Sequence, residues 1–322
     1  MKISVVGAGA WSTAVAKLLS ENGHEVTLCA RKQADSKKIK ESRENVKHLA
    51  GVKLPESLEF SYFEKIPSCD MVVFGVPAQH VRETLEHVSF KSKGVVNLAK
   101  GIEIKTLKRM EEVFSEYMNN VDYASLSGPS HAEEVAVGIP TSVVVSSRNF
   151  EFSKIVQEVF SSPSFRVYTS EDLTGIEMGG ALKNVIAIAA GVVDGLGGWD
   201  NSKAAIITRG LAEITRMGVE MGANPLTFMG LSGLGDLVVT CTSRHSRNRR
   251  VGEFLGQGLS VPSEDNFVAE GLHTVVAELE LAKKFRVEVP IAQAVYSLVY
   301  ENASPKEMIV RLMNRPLKRE YE

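Results

Sequence analysis

The feature that most restricts the fold of this chain is a change of sequence pattern near residue 170. Before it, short runs rich in β-branched residues alternate with helical patterns; such runs occupy 2–6, 24–31, 70–77, 94–100, 122–128 and 141–147. Beyond it these runs become rare, and helical patterns cover 174–193, 203–222, 273–285 and 289–301. Alternating strands and helices are typical of a mostly parallel sheet with helices on both faces. We therefore predict an α/β domain over 1–170, with a doubly wound sheet, and an all-α domain over 171–322.

A glycine-rich turn, GAGAWS over residues 7–12, follows the first predicted strand and leads into a helical pattern. A strand, two glycines and a helix in this order are typical of a dinucleotide-binding turn. Gly7 would allow the tight turn, and Gly9 would let the backbone approach the pyrophosphate at the helix N-terminus. The third glycine of that fingerprint is replaced by Ser12, which is small enough for helix–strand packing. The context predicts a dinucleotide site.

The end of the second predicted strand bears on which dinucleotide is bound. A site specific for NAD carries an acidic residue there, bonded to the ribose 2′-hydroxyl. This chain has Arg31 and Lys32 instead, with no acid beside them. Two cations would attract a 2′-phosphate, although such residues are also common at solvated strand ends. We expect NADP(H) to be preferred and NAD(H) to be accepted as well.

Residues 230–250, GLSGLGDLVVTCTSRHSRNRR, combine glycines with a run of arginines. No acidic residue follows Asp236 until Glu253. Guanidinium groups pair with phosphate oxygens two at a time, so a glycine-rich turn feeding unpaired arginines predicts a site for a small anion. Asp236 would grip the other end of a hydroxyl-bearing ligand. The alternative interpretation is a solvated basic turn.

A lysine interrupts the apolar helical pattern over 174–193, which is apolar nearly all round and is expected to be buried. Burial lowers the pKa of a lysine, which suits a proton donor near neutrality, so Lys183 is the candidate acid/base. The alternative is a lysine whose stem packs in the core while its ammonium reaches water. The adjacent Asn184 and the neighbouring segment TRGL (208–211) favour the first interpretation.

Further candidates stand at the exits of predicted strands, where ligands of parallel sheets bind. Lys100 follows one strand, and Gly128 and Ser130 follow another. Gly128 would permit a close turn, and Ser130 would cap the following helix or donate to a ligand. His131 is the residue one first considers as an acid/base, but its place in a helix-starting turn favours a capping or surface role.

Composition excludes several classes of protein. The formal net charge is -2, which gives no reason to expect binding to nucleic acid or an anionic membrane. The three cysteines lie far apart and show no metal-ligand or disulfide spacing, which fits a reducing cytoplasm and no metal site. No signal peptide and no uncharged apolar stretch of membrane-spanning length is evident, so we expect no membrane insertion.

Taken together, the motifs resemble the NAD(P)-dependent glycerol-3-phosphate dehydrogenases of bacterial type, over essentially the full length. The matching segments include VVGAGAWSTAVA, FGVPAQ, NLAKGIE, SLSGPSHAEEVA, ALKNVIAIAAGVVDGLG, TRGLAEI, TFMGLSGLGDLVVTCTSRHSRNRR and VAEG. The resemblance implies a Rossmann-type domain followed by an all-α domain. It also implies reversible reduction of dihydroxyacetone phosphate to sn-glycerol 3-phosphate, the backbone for phospholipid synthesis.

The same resemblance implies the roles of individual residues. Lys183 is similar to the general acid/base of the family and also to a substrate contact. The other positions similar to substrate contacts are Lys100, Gly128, Ser130, Asp236, Ser246, Arg247 and Asn248. The positions similar to cofactor contacts are Gly7, Gly9, Ala10, Trp11, Arg31, Lys32, Lys100, Ala132, Arg247, Val268 and Glu270.

The chain departs from the family at the glycine turn, where Ala10-Trp11-Ser12 stands for the usual Ser-Trp-Gly. The change at Ala10 removes a hydroxyl that would contact phosphate. Two alternatives stay open: a related two-domain NADP-linked reductase of a carboxylate substrate, of β-hydroxyacid or ketopantoate type, and a non-catalytic nucleotide-sensing protein. The oligomeric state, a homodimer included, is left open by the sequence.

Overall fold

The computed structural model describes residues 1–118, 120–261, 268–317 and 319–320. Its strands are β1 (Lys2–Val6), β2 (Glu25–Ala30), β3 (Glu44–Asn45), β4 (Leu49–Lys53), β5 (Glu59–Tyr62), β6 (Met71–Phe74), β7 (Gly94–Asn97), β8 (Asp122–Ser127), β9 (Thr141–Ser147) and β10 (Phe165–Ser170). Its helices are α1 (Ala10–Glu21), α2 (Gln33–Ser42), α3 (Val81–His87), α4 (Met110–Ser115), α5 (Ala132–Ala136), α6 (Phe150–Phe160), α7 (Leu173–Leu196), α8 (Asp200–Glu220), α9 (Asp236–Thr242), α10 (Arg247–Gly256), α11 (Glu270–Phe285), α12 (Pro290–Tyr300) and α13 (Pro305–Met313).

Eight strands form one sheet in the order β10-β9-β8-β7-β6-β1-β2-β5. Every neighbouring pair is parallel except β8 and β9, so the prediction of a mostly parallel sheet is confirmed. The chain passes from β1 outward to β2 and later returns to place β6 on the other side of β1. This reversal creates a crevice at the carboxyl ends of β1 and β6, which is where doubly wound sheets bind ligands.

Only helices and turns follow Ser170 in the described part of the chain. α7 is the centre of this second region: its residues from Ile176 to Val193 are buried, and α8, α9, α10 and α11 pack around it. An added Cβ at Gly191 would stand 1.9 Å from the carbonyl oxygen of Arg249, so glycine is required where α10 crosses α7. The predicted helical region is confirmed, whereas the division at residue 170 stays a prediction.

α7 is long and apolar enough to cross a membrane by length and composition, yet its apolar window is wholly buried within the fold. A core helix has the same composition, because it is surrounded by other helices instead of lipid.

Two local predictions differ from the structure. The helical pattern of LKRMEEVFSEYM predicts a helix over 107–118, which is too long, since Leu107 has a left-handed backbone (φ 59°) and α4 begins only at Met110. The segment 230–250 is mostly helical: a π-helical turn over Leu231–Gly235 continues into α9, and α10 begins at Arg247.

Candidate active site

The glycine turn after β1 fits closely against the loop that follows β6. Gly7 has a φ of +104°, and a Cβ there would stand 2.8 Å from the carbonyl oxygen of Gly75. A Cβ at Gly9 would meet nothing within 4 Å, so this side of the turn is open. No side chain caps the first turn of α1, which begins at Ala10. Free N–H groups at a helix N-terminus bind phosphate, and this turn therefore fits a dinucleotide pyrophosphate.

Ser12 takes over the packing role of the missing third glycine. Its hydroxyl is buried and donates a hydrogen bond to the Gly75 carbonyl oxygen at 2.7 Å. The neighbouring geometry is fitted to it, because a Cβ at Gly75 would stand 2.3 Å from Ser12 Oγ. The serine thus fastens α1 to the residue that follows β6.

Arg31 and Lys32 stand at the carboxyl end of β2, and Lys32 is the N-cap residue of α2. Both side chains are exposed, and neither has an ion-pair partner in the described ranges. The first acidic residue after them is Asp35, in the first turn of α2. The two cations are therefore free to meet a 2′-phosphate, and their role in cofactor choice stays a prediction.

Other predicted cofactor positions lie in both regions of the molecule. Glu270 begins α11; its Oε1 accepts the Ala78 N–H at 3.0 Å, while its buried Oε2 has no partner among the described residues. Burial raises the pKa of Glu270. The buried indole Nε1 of Trp11 also lacks a partner in the described part of the chain. Ala132 is buried at the start of α5, and Val268 is half-buried in the loop before α11.

The acidic and basic candidates meet in one buried cluster. Asp236 lies between two lysines: its Oδ2 accepts from Lys100 Nζ at 2.8 Å, and its Oδ1 accepts from Lys183 Nζ. Lys183 Nζ also donates to Thr240 Oγ1 at 2.9 Å, and Lys100 Nζ donates to the Gly128 carbonyl oxygen at 2.9 Å. The Lys183 side chain is only 7% exposed, so its ammonium does not reach bulk water and the alternative interpretation is wrong.

The protonation of this cluster follows from burial and from the neighbouring charges. Burial lowers the pKa of Lys183 to about 8, although Asp236 opposes that shift. Burial would raise the pKa of Asp236, but the ammonium groups of Lys100 and Lys183 hold it below its ordinary value. Near neutral pH the site therefore contains an ionised carboxylate and an ammonium able to release its proton.

The turn after β8 completes the wall beside Lys100. Gly128 has a φ of +132°, and its carbonyl oxygen also accepts the Ser130 hydroxyl at 3.0 Å. Ser130 therefore does not cap α5. His131 is the N-cap residue of α5 but makes no capping bond, and its Nε2 is buried with no partner in the described part. The capping role expected for His131 is wrong, because its side chain makes no capping hydrogen bond; the residue is half-buried, with its ring centroid 5.8 Å from that of His245.

Two family profiles match this chain: the NAD-dependent glycerol-3-phosphate dehydrogenase N-terminus over residues 2–153, and the C-terminus of the same family over 172–310. The chain belongs to that family. It is 49% identical to a glycerol-3-phosphate dehydrogenase [NAD(P)+] of Chlorobium phaeobacteroides, covering 100% of both chains. It is 47% identical to one of Thermoanaerobacter sp., covering 99% of both.

Structural comparison agrees with the sequence match. A crystal structure of glycerol-3-phosphate dehydrogenase from Coxiella burnetii superposes with a TM-score of 0.90 at 32% identity, covering 98% of this chain and 99% of the other. This membership makes the chain an NAD(P)-linked oxidoreductase with a Rossmann-type N-terminal region, and it sets aside the carboxylate reductases and the non-catalytic sensor.

The arginine-rich stretch over 230–250 has acidic partners that its own sequence does not contain. Arg249 Nε donates to Asp194 Oδ2 at 2.6 Å, and another nitrogen of Arg249 lies 2.7 Å from Glu253 Oε1. The expectation of unpaired arginines is wrong for Arg249, because Asp194 near the C-terminal end of α7 lies beside it. Arg247, in contrast, is exposed at the first residue of α10 and has no ion-pair partner among the described residues.

The residues on either side of Arg247 organise the start of α10. Ser246 is its N-cap, and the serine Oγ accepts the Arg249 N–H at 3.2 Å. Asn248 Nδ2 donates to Asn184 Oδ1 at 2.9 Å, and Asn248 Oδ1 accepts the Gly271 N–H at 2.9 Å. Asn248 thus joins α7, α10 and α11. The substrate contacts expected of Ser246 and Asn248 stay predictions.

Sequence reasoning missed two contributors. Thr240 bonds Lys183, and its position four residues after Asp236 in a helical pattern could have indicated it, since residues so spaced share a helix face. Asn45 is buried in the β3–β4 hairpin, where its Nδ2 donates to the Ala8 carbonyl oxygen and to Thr13 Oγ1, each at 2.8 Å. No sequence signal connected this hairpin with the glycine turn.

Proposed function

We propose that this chain catalyses the NAD(P)H-dependent, reversible reduction of dihydroxyacetone phosphate to sn-glycerol 3-phosphate. The product would supply the glycerol phosphate backbone for phospholipid synthesis in the cytoplasm. The observation that carries the proposal is the buried contact of Lys183 with Asp236, reinforced by Lys100, in a chain of this family. Residues 1–170 would bind the cofactor, and residues 171–322 would bind most of the substrate.

The crevice at β1 and β6 has the features that a nicotinamide dinucleotide needs. Gly7 and Gly9 would receive the pyrophosphate with the first turn of α1, and Arg31 and Lys32 would face the 2′-phosphate of NADP(H). The remaining cofactor positions are Ala10, Trp11, Lys100, Ala132, Arg247, Val268 and Glu270. When bound, the reduced nicotinamide supplies the hydride for the ketone carbon.

Lys183 stabilises the negative charge that develops on the ketone oxygen and then transfers a proton from Nζ to that oxygen. Its pKa of about 8 makes both protonation states accessible near neutrality, as a reversible reaction requires. Asp236 holds the ammonium in place with Thr240, and Lys100 adds a second positive charge. Arg247 and the N–H groups at the start of α10 would hold the substrate phosphate.

The direct test is consumption of NADPH and of NADH, followed by their near-ultraviolet absorbance, with a panel of ketones. We expect turnover of dihydroxyacetone phosphate and none of ketopantoate, whose carboxylate lacks the charge and geometry of a phosphate. Equal turnover of both ketones would contradict the assignment, and turnover of neither with either cofactor would remove the proposed activity altogether.

A further inference from the structure

His131 is a half-buried residue with a buried ring nitrogen, Nε2, that the mechanism above does not use. It follows Ser130 directly and is the N-cap residue of α5, after the turn that holds Lys100. Its Nε2 has no hydrogen-bond partner in the described part of the chain. Its ring centroid lies 5.8 Å from that of His245, on the loop between α9 and α10 that leads to Ser246 and Arg247. His131 therefore stands between the lysine cluster and the start of α10.

The surroundings of His131 keep its ring neutral. Burial lowers the pKa of His131, and the ammonium groups of Lys183 and Lys100 lower it further, whereas Glu133 and Asp236 act in the opposite direction. A neutral imidazole offers one N–H and one lone pair, which suits an uncharged hydroxyl better than a phosphate. A buried polar atom without a partner is unfavourable, so its natural complement is a polar group of a ligand.

The carboxylate of Asp236, which the sequence suggested as a partner for a hydroxyl, is paired with Lys100 and Lys183. The proposed substrate therefore has one polar group to which the mechanism above gives no partner. Its ketone oxygen is served by Lys183, and its phosphate by Arg247 and the start of α10. Its free hydroxyl remains. We propose that His131 is a specificity-determining residue whose Nε2 hydrogen-bonds the free hydroxyl of the three-carbon substrate. This inference rests on the proposed function and extends it, by naming the group that distinguishes the substrate from its deoxy analogue.

A site built to pair a substrate hydroxyl discriminates strongly against an analogue lacking it, because the protein group is then left buried and unpaired. Hydroxyacetone phosphate is the appropriate probe: it keeps the ketone and the phosphate and lacks the free hydroxyl. The measured quantity is the ratio of kcat/KM for dihydroxyacetone phosphate to that for hydroxyacetone phosphate. Where the analogue turns over too slowly, its competitive inhibition constant replaces its kcat/KM.

Three variants separate the hydrogen bond from the packing of the ring. His131→Phe keeps a ring against His245 but removes both nitrogens, and we expect the ratio to fall about tenfold or more. His131→Gln places an amide near the position of Nε2 and should restore most of the ratio. His245→Phe is the matched control, because it changes the other ring of the same pair, and it should leave the ratio within about threefold.

An unchanged ratio in His131→Phe would overturn the proposal, and so would an equal fall in His245→Phe, which would assign the effect to ring packing. Both substrates are measured on one preparation, so partial unfolding of a variant cancels from the ratio. The proposed function fails separately, if the unmodified protein does not reduce dihydroxyacetone phosphate at all.

Discussion

The two halves of the candidate site are built in different ways. On the sheet side, the glycine turn and the Arg31–Lys32 pair stand at strand ends, with an open face at Gly9 and exposed cationic side chains. On the helical side, Lys183 and Asp236 lie on two helices with side chains only 7% and 2% exposed. The sheet half offers a ligand backbone N–H groups and cationic side chains that come from short, local stretches of sequence. The helical half depends on partners brought together through the core.

This difference indicates which residues should control turnover and which should control cofactor selectivity. An exposed cation retains its ordinary chemistry and is screened by water and salt, so it contributes modestly to affinity. A buried ammonium beside a buried carboxylate has its proton affinity changed by its surroundings, and its removal leaves the partner charge unpaired. We therefore expect changes in the buried cluster of the helical half to abolish turnover and changes at the exposed cations of the sheet half to alter cofactor preference.

The largest effect is expected from Lys183→Ala. Loss of a general acid costs about 10²–10⁴-fold in rate, and loss of charge stabilisation adds to it. Cofactor affinity, followed by nicotinamide fluorescence, should change little, because the glycine turn is untouched. Lys154→Ala is a suitable control, since that lysine is exposed and contacts only its near neighbours Glu151 and Phe150 among the described residues. A Lys183 variant with half the original activity would remove this lysine from the mechanism.

The next largest effect is expected from Arg247→Ala. A charge-assisted hydrogen bond to an anion contributes about 1.5–3 kcal/mol, equivalent to roughly 10–150-fold in kcat/KM for dihydroxyacetone phosphate. Unphosphorylated dihydroxyacetone is the control substrate, and its already low kcat/KM should hardly change. Equal losses for the two ketones would mean that Arg247 does not bind the phosphate.

The pH dependence of kcat/KM gives a third test of the role assigned to the buried cluster in the helical half. If Lys183 donates a proton, kcat/KM for reduction has its full value below a pH of about 8, where the ammonium form predominates. It falls as the pH rises through that value. The decline should approach tenfold per pH unit, and the oxidation direction should show the opposite trend, because the neutral amine is then required. A reduction rate that instead rises with pH across this range would reverse the proposed proton transfer.

On the sheet side, the double change Arg31→Ala and Lys32→Ala should shift the NADPH:NADH ratio of kcat/KM toward NADH. We expect about tenfold or more, equivalent to about 1.4 kcal/mol. Added salt should weaken NADPH more than NADH in the unmodified protein, because the extra interaction is between charges. Should both cofactors weaken equally in the double variant, selectivity would lie elsewhere in the crevice.

The smallest effect is expected from Ser12→Ala. The lost hydrogen bond to the Gly75 carbonyl oxygen should lower the free energy of unfolding by about 0.5–1.5 kcal/mol, measured by urea denaturation. The KM for the cofactor should stay within about threefold, because the hydroxyl of this serine is buried against Gly75. A large rise in that KM with unchanged stability would instead place Ser12 at the cofactor.

The sequence by itself determined the features that depend on neighbouring residues. Strand and helix periodicity predicted the mostly parallel sheet and the helical region after Ser170, and the glycine spacing located the turn between β1 and α1. Lys183 was recognisable because a charged residue in a helix apolar nearly all round violates the local pattern. These inferences hold because the backbone geometry and the buried face of a single helix or strand depend on residues that are close together in the sequence.

Only the tertiary structure decided which groups meet. Lys100 reaches Asp236 across 136 positions of sequence, and Arg249 is neutralised by Asp194 from 55 positions earlier. The local context of His131 predicted a capping or surface role, yet its Nε2 is buried and its ring lies 5.8 Å from that of His245. Burial and pairing are properties of the packed core, where partners distant in sequence lie within hydrogen-bond distance, so no local pattern could have assigned them.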